Sequence, residues 1–140
     1  NDNGVEEIYA RPGSADILLR PFGRLGYYSA EAETWRELAV ADFDWLNGMA
    51  ISPDGVTAAF GVDGQWGLYD IDSESVVALY DTIFADAELI PRVYSLAFNP
   101  DGTRLATLQT DGMLTIWNTE TGTAVMSHGP FNNGLSQRWG

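Results

Sequence analysis

Apolar and polar positions along this chain fall into short runs of four to seven residues, each closed by a turn signal. Residues 103–108 and 113–117 are the clearest of these runs. Such runs, rich in β-forming residues, predict short strands. The turn signals are Pro12-Gly13, Asp54-Gly55, Asp63-Gly64, Asp101-Gly102, Asp111-Gly112 and Thr121-Gly122. Asp-Gly supplies the positive φ of a tight hairpin at little steric cost. A Pro ahead of it fixes φ and cannot donate in a ladder, so it belongs at a strand end. Residues 30–39 have the composition of a helix start, but the stretch is short and isolated.

The runs recur. Pro12, Pro53 and Pro100 are followed by Gly23, Gly64 and Gly112 after 11, 11 and 12 residues, and five residues later by Tyr28, Tyr69 and Trp117. Seven residues before each Pro stands Val5, Leu46 or Val93, and two before stands Ala10, Ile51 or Phe98. The Pro-to-Pro spacing is 41 and then 47, the excess lying in the stretch TIFADAELIPR at 82–92. Each copy predicts four strands: 6–10, 16–20, 25–29 and 35–40; 48–52, 56–61, 66–70 and 76–80; and 94–98, 103–108, 113–117 and 124–128. The copies span about 5–42, 46–86 and 93–128, and a tail follows at 129–140.

These copies read ARPGS…LGYYS, ISPDG…GLYDID and FNPDG…LTIWN. In that register the chain resembles the WD-repeat family of β-propellers over about residues 5–128. The resemblance implies an all-β fold of three four-stranded antiparallel sheets, a partial propeller. It implies a structural turn and blade motif at Asp63, Asp111, Thr107, Trp117, Tyr69 and Tyr28, with Trp117 and Asp111 packed as a pair around the third hairpin. The family's Trp-Asp pair stands here as Tyr28-Ser29, Tyr69-Asp70 and Trp117-Asn118, and the His of its buried network is missing before the third copy. Propellers of this family are mostly rigid platforms for other proteins, so the implied function is a non-catalytic interaction or scaffold module. The expected core positions are Ile17, Leu18, Ile51, Ala58, Phe98, Leu105, Leu114 and Ile116.

Composition narrows the function classes. The formal net charge is −13, and all seven basic residues are Arg. Such a chain lacks the basic footprint of a nucleic-acid binder and is repelled by anionic membrane surfaces. No apolar run approaches the roughly 18 residues of a membrane helix. The absence of Cys excludes disulfide scaffolds, thiol nucleophiles and thiolate metal sites. The chain starts at Asn1 rather than Met, as expected of a processed chain or a piece of a longer one.

No constellation for catalysis, cofactor or metal emerges. His128 is the only His, and no Ser stands in a nucleophile motif. Asp-Gly turns lack the dense acidic spacing of a calcium loop. The alternative is a propeller hydrolase or lactonase with a metal in the central channel. That needs carboxylates at equivalent positions, and Asp63 and Asp111 are matched by Phe22 in the first copy. Sugar binding by repeated aromatics meets the same objection: Trp66 is matched by Leu25 and Leu114.

Two stretches are candidates for touching a partner: Phe84, Leu89 and Ile90 in the insertion, which alternatively folds back on its own blade, and Phe131, Leu135 and Trp139 in the tail, which alternatively opens a further blade. A propeller closes with about four to eight blades, so three leave two faces uncovered. Leaving an apolar face of roughly 400 Å² wet would forgo about 10 kcal/mol. The sequence therefore predicts a protein partner or self-association that completes the propeller.

Overall fold

The computed structural model describes residues 7–40, 43, 45–84 and 88–130. The chain is all-β and builds three four-stranded antiparallel sheets, each formed by four consecutive strands, in the arrangement of a partial propeller. The first sheet holds β1 (Ile8–Ala10), β2 (Ile17–Leu19), β3 (Leu25–Ser29) and β4 (Thr34–Leu38). The second holds β5 (Gly48–Ile51), β6 (Thr57–Val62), β7 (Gln65–Asp70) and β8 (Ser75–Asp81). The third holds β9 (Val93–Phe98), β10 (Arg104–Gln109), β11 (Leu114–Asn118) and β12 (Ala124–His128). A single 3-10 turn, Pro21–Gly23, is the only helical element among the described residues, and the helix-like stretch 30–39 contains β4.

Turn chemistry sets the register. In the second sheet Ser52 N donates to Thr57 O, and Asp54 Oδ1 accepts from Ser52 Oγ at 2.6 Å and Val56 N at 3.0 Å. In the third, Asn99 N donates to Arg104 O, and Asp101 Oδ1 accepts from Thr103 Oγ1 at 2.6 Å and Thr103 N at 3.0 Å. These side-chain acceptors satisfy turn amides that no ladder reaches. The 11-against-12 spacing in the sequence has a local cause. Asp63-Gly64 closes β6 on β7 between paired Val62 and Gln65, whereas Gln109 N reaches over to Met113 O. The third hairpin therefore carries one more residue.

Strand alternation gives every sheet two faces. We call the face toward the next sheet in the chain forward, and the other rear. Leu18, Leu25, Tyr27 and Leu38 on the first sheet's forward face share one core cluster with Ala58, Phe60 and Tyr69 on the second sheet's rear face. Ala59, Trp66 and Leu68 on the second sheet's forward face share another with Leu105 and Trp117 on the third sheet's rear face. Neither cluster joins the first sheet to the third, so the sheets stack in chain order with those two outermost.

Glycine brings the backbones of the second seam together. A Cβ on Gly48 would lie 2.5 Å from the Tyr94 carbonyl oxygen, and one on Gly61 would run into the Val93 carbonyl. Polar groups tie the first seam: Arg11 Nε donates to Gly55 O at 2.7 Å and Arg11 Nη2 to Asp72 Oδ1 at 2.7 Å.

Stacking order corrects part of the expected core. Leu18, Ala58 and Leu105 are buried, but Ile17, Leu114 and Ile116 are only half-buried. Ile17 lies on the rear face of the first sheet, and Leu114 and Ile116 on the forward face of the third, where no further sheet covers them. Ile51 and Phe98 are also half-buried, since they end β5 and β9 beside the exposed Pro53 and Pro100 turns.

Candidate interaction faces

Every blade carries equivalent positions on each face, so the two uncovered faces can be compared with the covered ones. Forward positions run Leu18, Ala59, Ala106; Leu25, Trp66, Leu114; and Tyr27, Leu68, Ile116. In each series the first two members are buried and the third is half-buried. Rear positions run Ile17, Ala58, Leu105; Leu19, Phe60, Thr107; and Tyr28, Tyr69, Trp117. There the first member is half-buried and the other two are buried. The accessible member is always the one at the end of the arc.

The rear face of the first sheet is strongly apolar. Ile8 is 73% exposed, and Trp35, 47% exposed, lies over Gly26, where a Cβ would overlap its ring. An open hollow of about 330 Å³ is lined by Glu7, Ile8, Leu19, Pro21 and Trp35. Glu7 is ion-paired to the buried Arg20 at 2.9 Å. Burial acts against its ionisation, but hydrogen bonds from Tyr9 and Arg20 outweigh this and hold its carboxyl below the usual range. On the forward face of the third sheet, Ala106, Leu108, Leu114 and Ile116 lie beside Met126, which is 46% exposed. The exposed members Ile8, Trp35 and Met126 were missed in the sequence. Alternation within the first and last copies was the available signal.

The residues of the expected blade motif lie in the sheets and hairpin turns. Trp117 is buried against Trp66, ring centroids 5.2 Å apart, and its Nε1 donates to Thr107 Oγ1 at 2.9 Å. Asp111 was expected at Trp117's side; its Oδ1 accepts from Gln109 Nε2 and Met113 N, both at 3.1 Å, and so caps the hairpin. Asp63 is exposed and accepts from Asn47 Nδ2 at 2.8 Å. Tyr69 takes Trp117's place in the second sheet, but Phe60 stands where the third sheet has Thr107. Its hydroxyl is accordingly buried with no hydrogen-bond partner among the described residues. Burial, and then the charge of Glu74, push that phenol up to about 12. Tyr28 is half-buried on the end face.

The described residues of the insertion pack on both the second and the third sheet. A Cβ on Gly64 would lie 3.1 Å from Ile90 and 3.3 Å from Phe84, so both side chains cover the β6–β7 turn. Leu89 and Ile90 remain largely exposed. Thr82 Oγ1 and the Ile83 carbonyl bind the buried Gln109 side chain, which locks the insertion to the third sheet. Phe131, Leu135 and Trp139 lie outside the described residues.

Trp66 is fully buried between Tyr80 and Trp117, so its ring offers no platform to a sugar. Among the described residues no group of three or more His, Cys, Asp or Glu side chains could hold a metal ion. No helix there is long and apolar enough to cross a membrane. Comparison of the chain with protein-family models and with curated proteins returned no match.

Proposed function

We propose that this chain is a non-catalytic interaction module of WD-repeat type, whose two end faces are seams that take up further protein and complete a propeller. The observation that carries this reading is the burial series: equivalent side chains are covered wherever a neighbouring sheet exists and are accessible at both ends. The faces have the composition of a blade seam, with Ile17, Leu19 and Tyr28 at one end and Leu114 and Ile116 at the other. Contiguous apolar surface of this kind marks protein contact. The repeated Pro-Asp-Gly turns and the Trp117–Thr107 bond support the WD assignment.

The test is the size of the protein in a native extract of cells that make it. It should migrate well above 15.3 kDa, and Leu114→Arg should release it. Migration at 15.3 kDa both in extract and after purification would overturn the reading.

A further inference from the structure

Resting on that reading, we infer that the occupant of each end face is a second copy of this chain, set head to tail. The forward face of one third sheet meets the rear face of the other copy's first sheet. With three sheets in each copy, both seams together close one ring of six, within the range of about four to eight that propellers use.

The first observation is volume. At the centre of the first seam, Leu18 on the forward face shares a cluster with Ala58 on the rear face. At the same position of the second seam the order reverses, with Ala59 forward and Leu105 rear. Each seam therefore holds one large and one small side chain, as close packing demands. The two unused positions are Ala106, forward, and Ile17, rear. Joined, they restore the same small-and-large pair. Two like faces would not: Ile17 would meet Ile17, and Ala106 would meet Ala106.

The second observation is an inter-blade turn contact. The closing bonds Arg11 N to Asp16 O, Ser52 N to Thr57 O and Asn99 N to Arg104 O place Pro12, Pro53 and Pro100 at one equivalent position. Pro12 abuts Gly55 of the next turn through its carbonyl oxygen, and Pro53 Cδ lies 3.4 Å from a Cβ built on Gly102. Pro100 is exposed, and so is Ser14, which the turn bonds place where the later turns have Gly55 and Gly102. Pro100 and Ser14 are the two unused halves of that turn-to-turn contact. Charge opposes this union only at long range: a net −13 on each copy is screened over about 8 Å at physiological salt, so added salt should tighten the dimer.

Sedimentation of the purified chain at micromolar concentration should give about twice 15.3 kDa. Leu114→Arg and Ile17→Glu should each reduce it to the single-chain mass while keeping the β spectrum. An equimolar mixture of the two variants should recover the dimer, because one seam of the mixed pair is wild-type on both sides. A wild-type chain at the single-chain mass would overturn the inference. So would a dimer that survives Ile17→Glu, or variants that do not rescue each other. Should either variant fail to fold, the chain's lack of Cys provides another route. Ser14→Cys combined with Pro100→Cys should give a covalent dimer without reductant, and neither single variant should give a closed one. No covalent dimer from the double variant would overturn the inference. A purified monomer that still enters a larger complex in extract, and leaves it on Leu114→Arg, would overturn the second copy as occupant. It would leave the interaction reading intact.

Discussion

Replacing Trp117 by Ala removes the largest side chain of the third sheet's rear face. The indole is 4% exposed, packs on Trp66 at 5.2 Å and hydrogen-bonds Thr107 at 2.9 Å. Truncation of a buried aromatic to Ala costs about 3–5 kcal/mol, the cavity included. The Thr107 hydroxyl, itself fully buried, is also stranded; an unpaired buried group costs about 1–3 kcal/mol. The two overlap, so a total near the upper part of the first range is expected, against a whole-domain stability of about 5–15 kcal/mol. Trp117→Phe isolates the second effect: it keeps most of the packing and should lose about 1–2 kcal/mol. Adding Thr107→Val to Trp117→Phe should return part of that loss, since the stranded hydroxyl is gone. Urea unfolding followed by far-ultraviolet circular dichroism is the assay, at one fixed protein concentration because association shifts apparent stability. A loss below about 1 kcal/mol for Trp117→Ala would refute the argument that this ring holds the second seam together.

Two further outcomes follow from the same geometry. Gly61→Ala should destabilise by about 1–3 kcal/mol in the same assay, because its Cβ meets the Val93 backbone and only a shift of β9 relieves it; an unchanged midpoint would mean that the strands are further apart than described. The Ser52 hydroxyl and then the Val56 amide hold the Asp54 carboxyl below its ordinary 3.8, and the Thr103 hydroxyl and amide do the same for Asp101. Groups lowered on folding contribute stability that is present above their unfolded pKa and lost as pH falls through the folded one. The urea midpoint should therefore fall as pH drops below 3.8, and fall less in the Asp54→Asn, Asp101→Asn double variant; identical acid limbs would contradict the assignment.

The repeat was legible because its markers are local. Pro53 and Pro100, the Asp-Gly turns and the aromatic five residues beyond each hairpin Gly are set by turn geometry, so spacing alone recovered twelve strands. Which face of each strand is covered was not legible. Alternation places Ile17, Leu114 and Ile116 on an apolar face, but only the stacking order leaves that face without a neighbour. Gly48 and Gly61 carried a signal that the pattern contained: glycine inside a strand marks close backbone approach. Arg11 with Asp72 and Arg36 with Glu74 lie 61 and 38 residues apart, and no local rule pairs them. Trp66 matched a sugar-binding aromatic by type; its burial by Tyr80 and Trp117 is tertiary.

Oxidative footprinting of the assembled protein tests most directly whether the ends of the arc are seams. Trp35 and Met126 stand on the two end faces, and Trp45 and Leu89 are exposed elsewhere. Compared with the folded Leu114→Arg chain, the assembled wild type should protect Trp35 and Met126 and leave Trp45 and Leu89 as reactive as before. Unchanged labelling of Trp35 and Met126, with protection confined to Trp45 and Leu89, would contradict the account and move the interface to the hairpin and insertion loops.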